Sequence, residues 1–178
     1  VAEGADVRLV NEAMDRLLQD PADIEAREVV MWAGALAWSG LMNAGVEGAS
    51  IPSHMIEHPL SGYYDVAHGA GLSIVIPAWL KYRKDEIAHR IVRFGQKILE
   101  MGDQLAGLEE SKQADVVIEA LEAWYRRIGT PVRLEEAGIT SADIEGLTAH
   151  AMLLSDLWGV PGHTADDVRN IYKLCSGS

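Results

Sequence analysis

Apolar residues recur at spacings of three and four along most of this chain, and no stretch offers a partner for a β-strand. Leu9, Val10, Ala13, Met14, Leu17 and Leu18 mark one amphipathic helix, which Asp20-Pro21 ends. Asp23 is placed to cap a long helix over residues 24–43, with Gly45 as its stop. That helix carries Val29, Val30, Trp32, Ala33, Leu36, Ala37 and Leu41, apolar around much of its surface, which predicts burial in the middle of a bundle. Its small residues, among them Gly34, Ala35, Ser39 and Gly40, would let neighbouring helices approach closely. Residues 51–62 read as a short helix, with Pro52 suited to its first turn and Gly62 as its stop. Residues 69–81 are strongly apolar. Taken alone, 72–76 has the look of a buried strand, but nothing else in the chain would pair with it, so a helix bent at Pro77 is expected.

Two further amphipathic helices are expected over 85–101 and 116–128, with Gly129-Thr130-Pro131 as a break. Residues 140–156 predict a helix capped by Thr140 or Ser141. A last helix over 164–174 has Thr164 as its cap and Asp166-Asp167 in its first turn, where the helix dipole favours acids. Residues 102–110 read as a long loop. The expected fold class is therefore all-α, a single multi-helix bundle over 1–178. A length of 178 residues and a hydrophobic fraction of 48% suffice for a real core.

Charge narrows the partners. A net charge of −12 argues against a nucleic-acid partner, since phosphate binding needs a basic face, and disfavours anionic membranes. Cys175 is the single cysteine, so it forms no internal disulfide, and it is expected to be a non-functional thiol of the last helix. No long uncharged apolar run and no leader-like start are present, which gives an expectation of a soluble cytoplasmic protein.

The chemistry is concentrated in one place. His54, His58 and His68, three of the six histidines, fall within fifteen residues. Imidazole is the commonest side-chain metal ligand and a ready acid or base near neutral pH. His54 and His58 are four apart and share a helix face. A reversal after Gly62 would return His68 toward His54. Two imidazoles suit Fe(II), Zn(II), Co(II) or Ni(II) but make half a site, so a carboxylate or third histidine is needed. Glu57 and Asp65 are the nearby carboxylates. The residues alone leave open a second reading, buried histidines satisfied by backbone carbonyls.

The run His54-Met-Ile-Glu-His58-Pro-Leu-Ser-Gly-Tyr-Tyr-Asp-Val-Ala-His68-Gly69, continuing through Leu72 to Pro77, resembles the signature of the iron-dependent alcohol dehydrogenase family. The stretches Val30-Met-Trp-Ala33, Asn43-Ala-Gly-Val46 and Ile128-Gly-Thr-Pro131 look like its butanol dehydrogenase branch, and the resemblance runs from about Leu9 to Tyr172. It implies the C-terminal helical domain of the dehydroquinate synthase-like superfamily. It implies His54 and His68 as ligands of a divalent metal, Fe(II) or Zn(II). It puts His58 beside the reacting centre, near nicotinamide and substrate, where it can take part in proton transfer. The implied activity is NAD(P)-dependent interconversion of small alcohols and aldehydes, in a protein that forms homo-oligomers when full-length.

The departures matter as much. Family members are about twice as long and begin with an α/β dinucleotide-binding domain, and no glycine-rich dinucleotide motif is present here. Their other two ligands come from an Asp-x3-His motif. Here Asp6, Asp15, Asp20 and Asp23 are followed four residues on by Val10, Gln19, Ile24 and Arg27. The chain thus looks like the helical domain without its first helix, and catalysis by it alone is not expected. The other class of function it fits is a helical binding or assembly module without chemistry. A glycerol dehydrogenase or dehydroquinate synthase relative fits less well, because their metal motifs differ in spacing.

The remaining candidates have plainer readings. His89 is expected in solvent, His150 at the core edge and His163 in a loop. Glu109-Glu110 and Glu135-Glu136 are expected as solvated surface, and Trp38 and Trp79 as core.

Overall fold

A computed structural model describes residues 5–40 and 51–177. Among these residues the secondary structure is helical: α1 (Ala5–Gln19), α2 (Ile24–Trp38), α3 (Pro52–Tyr64), α4 (His68–Lys97), α5 (Gly102–Leu105), α6 (Glu110–Arg127), α7 (Ile144–Trp158) and α8 (Ala165–Cys175), with 3-10 turns at Glu135–Ala137 and Ser141–Asp143. None of these helices is long and apolar enough to cross a membrane.

The helices fall into two compact units. One holds α1, α2 and residues 93–107; the other holds residues 51–92 and 108–177. In the first, Arg16 of α1 grips Asp23 and Glu25 at the start of α2, and Asp23 accepts the Ala26 amide as the expected cap. α2 ends at Trp38 rather than at 43: Ser39 closes it and Gly40 turns out at φ +77°. Gly45 lies outside the described residues. The expected burial of α2 fails. Only Ala26 and Ala33 are buried, whereas Met31, Trp32 and Trp38 are exposed, Trp38 at 89%. Its apolar residues go round the whole cylinder, and α1 covers one side of it. Trp38 is thus a surface residue, not core.

The second unit carries the candidate site. Its core is built from Met55, Ile56 and Leu60 of α3, Ile74, Val75 and Ala78 of α4, Leu147 and Ala151 of α7, and Val168, Ile171, Tyr172 and Cys175 of α8. The buried Tyr172 hydroxyl donates to the Ile56 carbonyl at 2.5 Å, which ties α8 to the helix that bears the first two histidines. α8 begins as its sequence predicts, with a full capping box between Thr164 and Asp167. Cys175 is buried and its thiol is pushed up by desolvation, which leaves it inert. Residues 131–134 are pinned by Ser73 Oγ on the Pro131 carbonyl and by the Leu134 amide on the Cys175 carbonyl. Beside them the buried Glu122 carboxylate accepts from Lys81 at 2.5 Å and Arg133 at 2.9 Å. Burial alone would raise its pKa, but these donors outweigh that and hold it low.

Several boundaries differ from expectation. α3 passes through Gly62 and ends at Tyr64, because Asp65 takes the left-handed cap at φ 55° and its amide bonds to the Ser61 carbonyl. Residues 69–81 and 85–101 are not two helices but parts of α4, which includes Pro77 and runs to Lys97. No breaker lies between Lys81 and Asp85 to divide it. Residues 102–110 contain the short α5, and α7 starts at Ile144 behind a 3-10 turn.

Candidate metal centre

The turn Asp65-Val66-Ala67 joins α3 to α4 and sets the first residue of α4 back against the body of α3. The result is the pairing predicted from the fourteen-residue spacing. His54 Nδ1 and His68 Nε2 lie 3.0 Å apart, with ring centroids 5.1 Å apart. His58, one turn along α3, stands edge-on to His68 at 5.1 Å. His58 is exposed, and its other neighbour is Trp158 at the end of α7, in a T-shaped contact at 4.7 Å. His54 is half-buried. Desolvation first, then the adjacent His68, lowers its pKa and favours the neutral ring that binds cations.

Of the two carboxylates suggested by sequence, Asp65 is taken up by the turn, and Glu57 joins the histidines. Glu57 is completely buried. Its Oε2 makes a very short contact with His68 Nδ1, and its Oε1 accepts the Ser61 hydroxyl at 2.6 Å. Donor atoms of Glu57, His58 and His68 come within 4.8 Å of one another. Gly71 lies against this carboxylate: a Cβ there would sit 2.1 Å from Glu57 Oε1. The parts that sequence reasoning missed are Trp158, Gly71 and the pairing of Glu57 with His68.

The other histidines stay away from this centre. His89 is exposed. His150 is partly buried, edge-on to Tyr63 at 4.9 Å. His163 accepts the Trp79 indole N–H at 3.1 Å, and burial lowers its pKa. Trp79 packs on the core as expected. Glu109, Glu110, Glu135 and Glu136 are exposed, and Glu136 also accepts the Val132 amide.

The donor set fits a divalent transition ion in part. Two nitrogens each about 2.1 Å from one ion stand about 3.4 Å apart in a tetrahedral site and about 3.0 Å apart at the right angles of an octahedral one, and the 3.0 Å between His54 Nδ1 and His68 Nε2 matches the second. A buried carboxylate behind one imidazole is the usual companion of a metal-ligating histidine.

Comparison with known proteins agrees with the motif. Residues 3–175 match the model of the Fe-containing alcohol dehydrogenase family, C-terminal. This chain belongs to that family. Among its relatives, NADH-dependent butanol dehydrogenase A of Clostridium acetobutylicum is 32% identical over 154 residues, 85% of this chain and 39% of the relative. The NADPH-dependent aldehyde reductase YqhD of Escherichia coli is 25% identical over 146 residues, 82% of this chain and 36% of the relative. The crystal structure of NADH-dependent butanol dehydrogenase A from Thermotoga maritima superposes with a TM-score of 0.88 at 35% identity, over 97% of this chain and 44% of that one. The chain thus spans less than half the length of these family members.

Proposed function

We propose that this chain is the metal-holding helical part of an NAD(P)-dependent alcohol or aldehyde oxidoreductase, with His54 and His68 as two ligands of a divalent metal. The observation that carries this reading is the 3.0 Å approach of two imidazole nitrogens from separate helices, one of them backed by a buried carboxylate. Homologues named as butanol dehydrogenases and aldehyde reductase support the substrate class of small alcohols and aldehydes. A divalent ion, Fe(II) or Zn(II), supplies Lewis acidity toward the substrate oxygen when bound, and nicotinamide supplies or takes the hydride.

The chain's own residues hold and shield. His68 is set by its contact with Glu57, and His54 approaches it from α3. His58 stands beside both at the surface, able to hold a proton at a ring nitrogen, and Trp158 covers one side of its ring. The sequence carries no glycine-rich loop to cradle a dinucleotide phosphate. Hydride transfer therefore belongs to the longer protein architecture of the family, and the 178-residue chain alone is expected to be inactive with butyraldehyde and NADH or NADPH.

Calorimetric titration of the chain with Zn(II) tests the assignment. His54→Ala and His68→Ala should each abolish binding, and His58→Ala should leave most of it. If His58→Ala loses the metal while His68→Ala keeps it, the assignment is wrong.

A further inference from the structure

We infer that Glu57 is a positioning residue that fixes which nitrogen of His68 faces His54, and that Gly71 is required because it leaves room for that carboxylate. The inference rests on the reading of His68 as a metal ligand and adds to it the group that orients the ligand.

A carboxylate with no solvent exposure is costly unless its oxygens are engaged. Glu57 meets that condition with both of them. Oε2 takes His68 Nδ1–H, and Oε1 takes the Ser61 hydroxyl, which also lies 2.9 Å from the Val66 carbonyl. Its neighbours along α3, Met55, Ile56 and Leu60, are all fully buried, and the carboxylate itself has no exposed surface. The space it fills exists because position 71 has no side chain. An alanine there would overlap Oε1, Cγ and Cδ of Glu57, at 2.1, 2.7 and 2.8 Å.

The consequence falls on His68. An imidazole with its Nδ1 proton committed presents a lone pair at Nε2. That nitrogen is the one 3.0 Å from His54 Nδ1. Without Glu57 the ring is free to carry its proton on Nε2, the commoner tautomer of free histidine, and to turn. Glu57 could instead serve as a ligand, because its donors lie close to those of His58 and His68. Both of its oxygens are already occupied by hydrogen-bond donors, and this favours orientation over ligation.

The test uses the whole 178-residue chain, labelled with 15N. Long-range 1H–15N NMR of the metal-free chain reads the tautomer of His68, assigned by the signals lost in His68→Ala. Wild type should carry the proton on Nδ1. Glu57→Gln should keep that tautomer, because the amide oxygen still accepts from Nδ1 and the amide N–H₂ can face Ser61. Its Zn(II) affinity should fall by up to about tenfold as the negative charge is lost. Glu57→Ala should release the tautomer and weaken Zn(II) by about 10–100-fold, the usual cost of losing such a partner. Gly71→Ala should do the same with Glu57 still present, and should add nothing in the Glu57→Ala background. Because Glu57→Ala empties a buried site, Glu57→Gln and Gly71→Ala decide the matter if it fails to fold.

The inference is overturned if His68 keeps its Nδ1–H tautomer in both Glu57→Ala and Gly71→Ala. It is also overturned if the Gly71→Ala effect persists undiminished in the double variant, or if absorption spectroscopy of the cobalt form loses an oxygen ligand on Glu57→Gln. If wild type and His68→Ala bind Zn(II) equally, the metal reading falls, while the tautomer of the metal-free chain still decides the role of Glu57.

Discussion

Gly71→Ala should destabilise this protein even though it replaces glycine inside a helix. Alanine is favoured over glycine in helices by up to about 1 kcal/mol. Against that stands the steric term. The new methyl would lie 2.1 Å from Glu57 Oε1, a contact that must open by more than an ångström, and the obstacle is a buried carboxylate rather than a free chain end. Overpacking of this kind costs about 1–3 kcal/mol. Displacing the carboxylate also weakens its hydrogen bonds from Ser61 and His68, each worth about 1.5–3 kcal/mol when one partner is charged. The balance is a net loss of about 2–3 kcal/mol. At roughly 2–4 °C per kcal/mol for a chain of this size, the unfolding midpoint should fall by about 5–10 °C.

Gly146 supplies the control. It lies in the same compact unit, near the start of α7, exposed, and a Cβ added there would meet nothing within 4 Å. Gly146→Ala should therefore stabilise by about 0.5–1 kcal/mol. Thermal unfolding followed by far-UV circular dichroism reads both variants. A Gly71→Ala chain as stable as wild type would refute the packing of Glu57 against Gly71.

Two other outcomes follow from the second unit. Tyr172→Phe keeps the buried ring and removes the hydroxyl that donates to the Ile56 carbonyl at 2.5 Å, so urea denaturation should show a loss of about 1 kcal/mol. Asp167 accepts from the Tyr82 hydroxyl and from the Thr164 amide and hydroxyl, which lower its pKa from 3.8 to about 2. The folded value is depressed, so its stabilisation is complete above pH 3.8 and is lost as pH falls through about 2. Asp167→Asn should cost about 1 kcal/mol near neutral pH, and the difference from wild type should shrink across that acid window in a pH series of melts.

Much of this architecture is written in local sequence. The Thr164 capping box, the Asp23 cap and the start of α3 at Pro52 follow from side chains within a few residues of each helix end. Local cues fail where a neighbour decides. Trp38 and Trp32 make α2 look like a central helix, yet their burial depends on what packs against them, and here α1 covers another side. Gly62 looks like a stop, but Asp65 accepts the strained left-handed turn three residues later. The candidate site shows the same division. The histidine spacing suggests a cluster of His54, His58 and His68, and the choice of His54 and His68 within it comes from the resemblance to the family signature. That Glu57 backs His68, rather than serving as a third ligand, depends on Ser61 one turn along α3 and on Gly71 of α4, and only the folded arrangement brings these together. Trp158 lies far along the sequence from the histidines, and no local signal marks it.

The central claim, that His54 and His68 hold a metal, is tested most directly by anomalous diffraction from crystals of the chain loaded with Zn(II). An anomalous peak is expected about 2.0–2.1 Å from one ring nitrogen of His54 and from Nε2 of His68, with the Glu57 carboxylate still on His68 Nδ1. A peak bound by Glu57, His58 and His68, with His54 turned away, would contradict it.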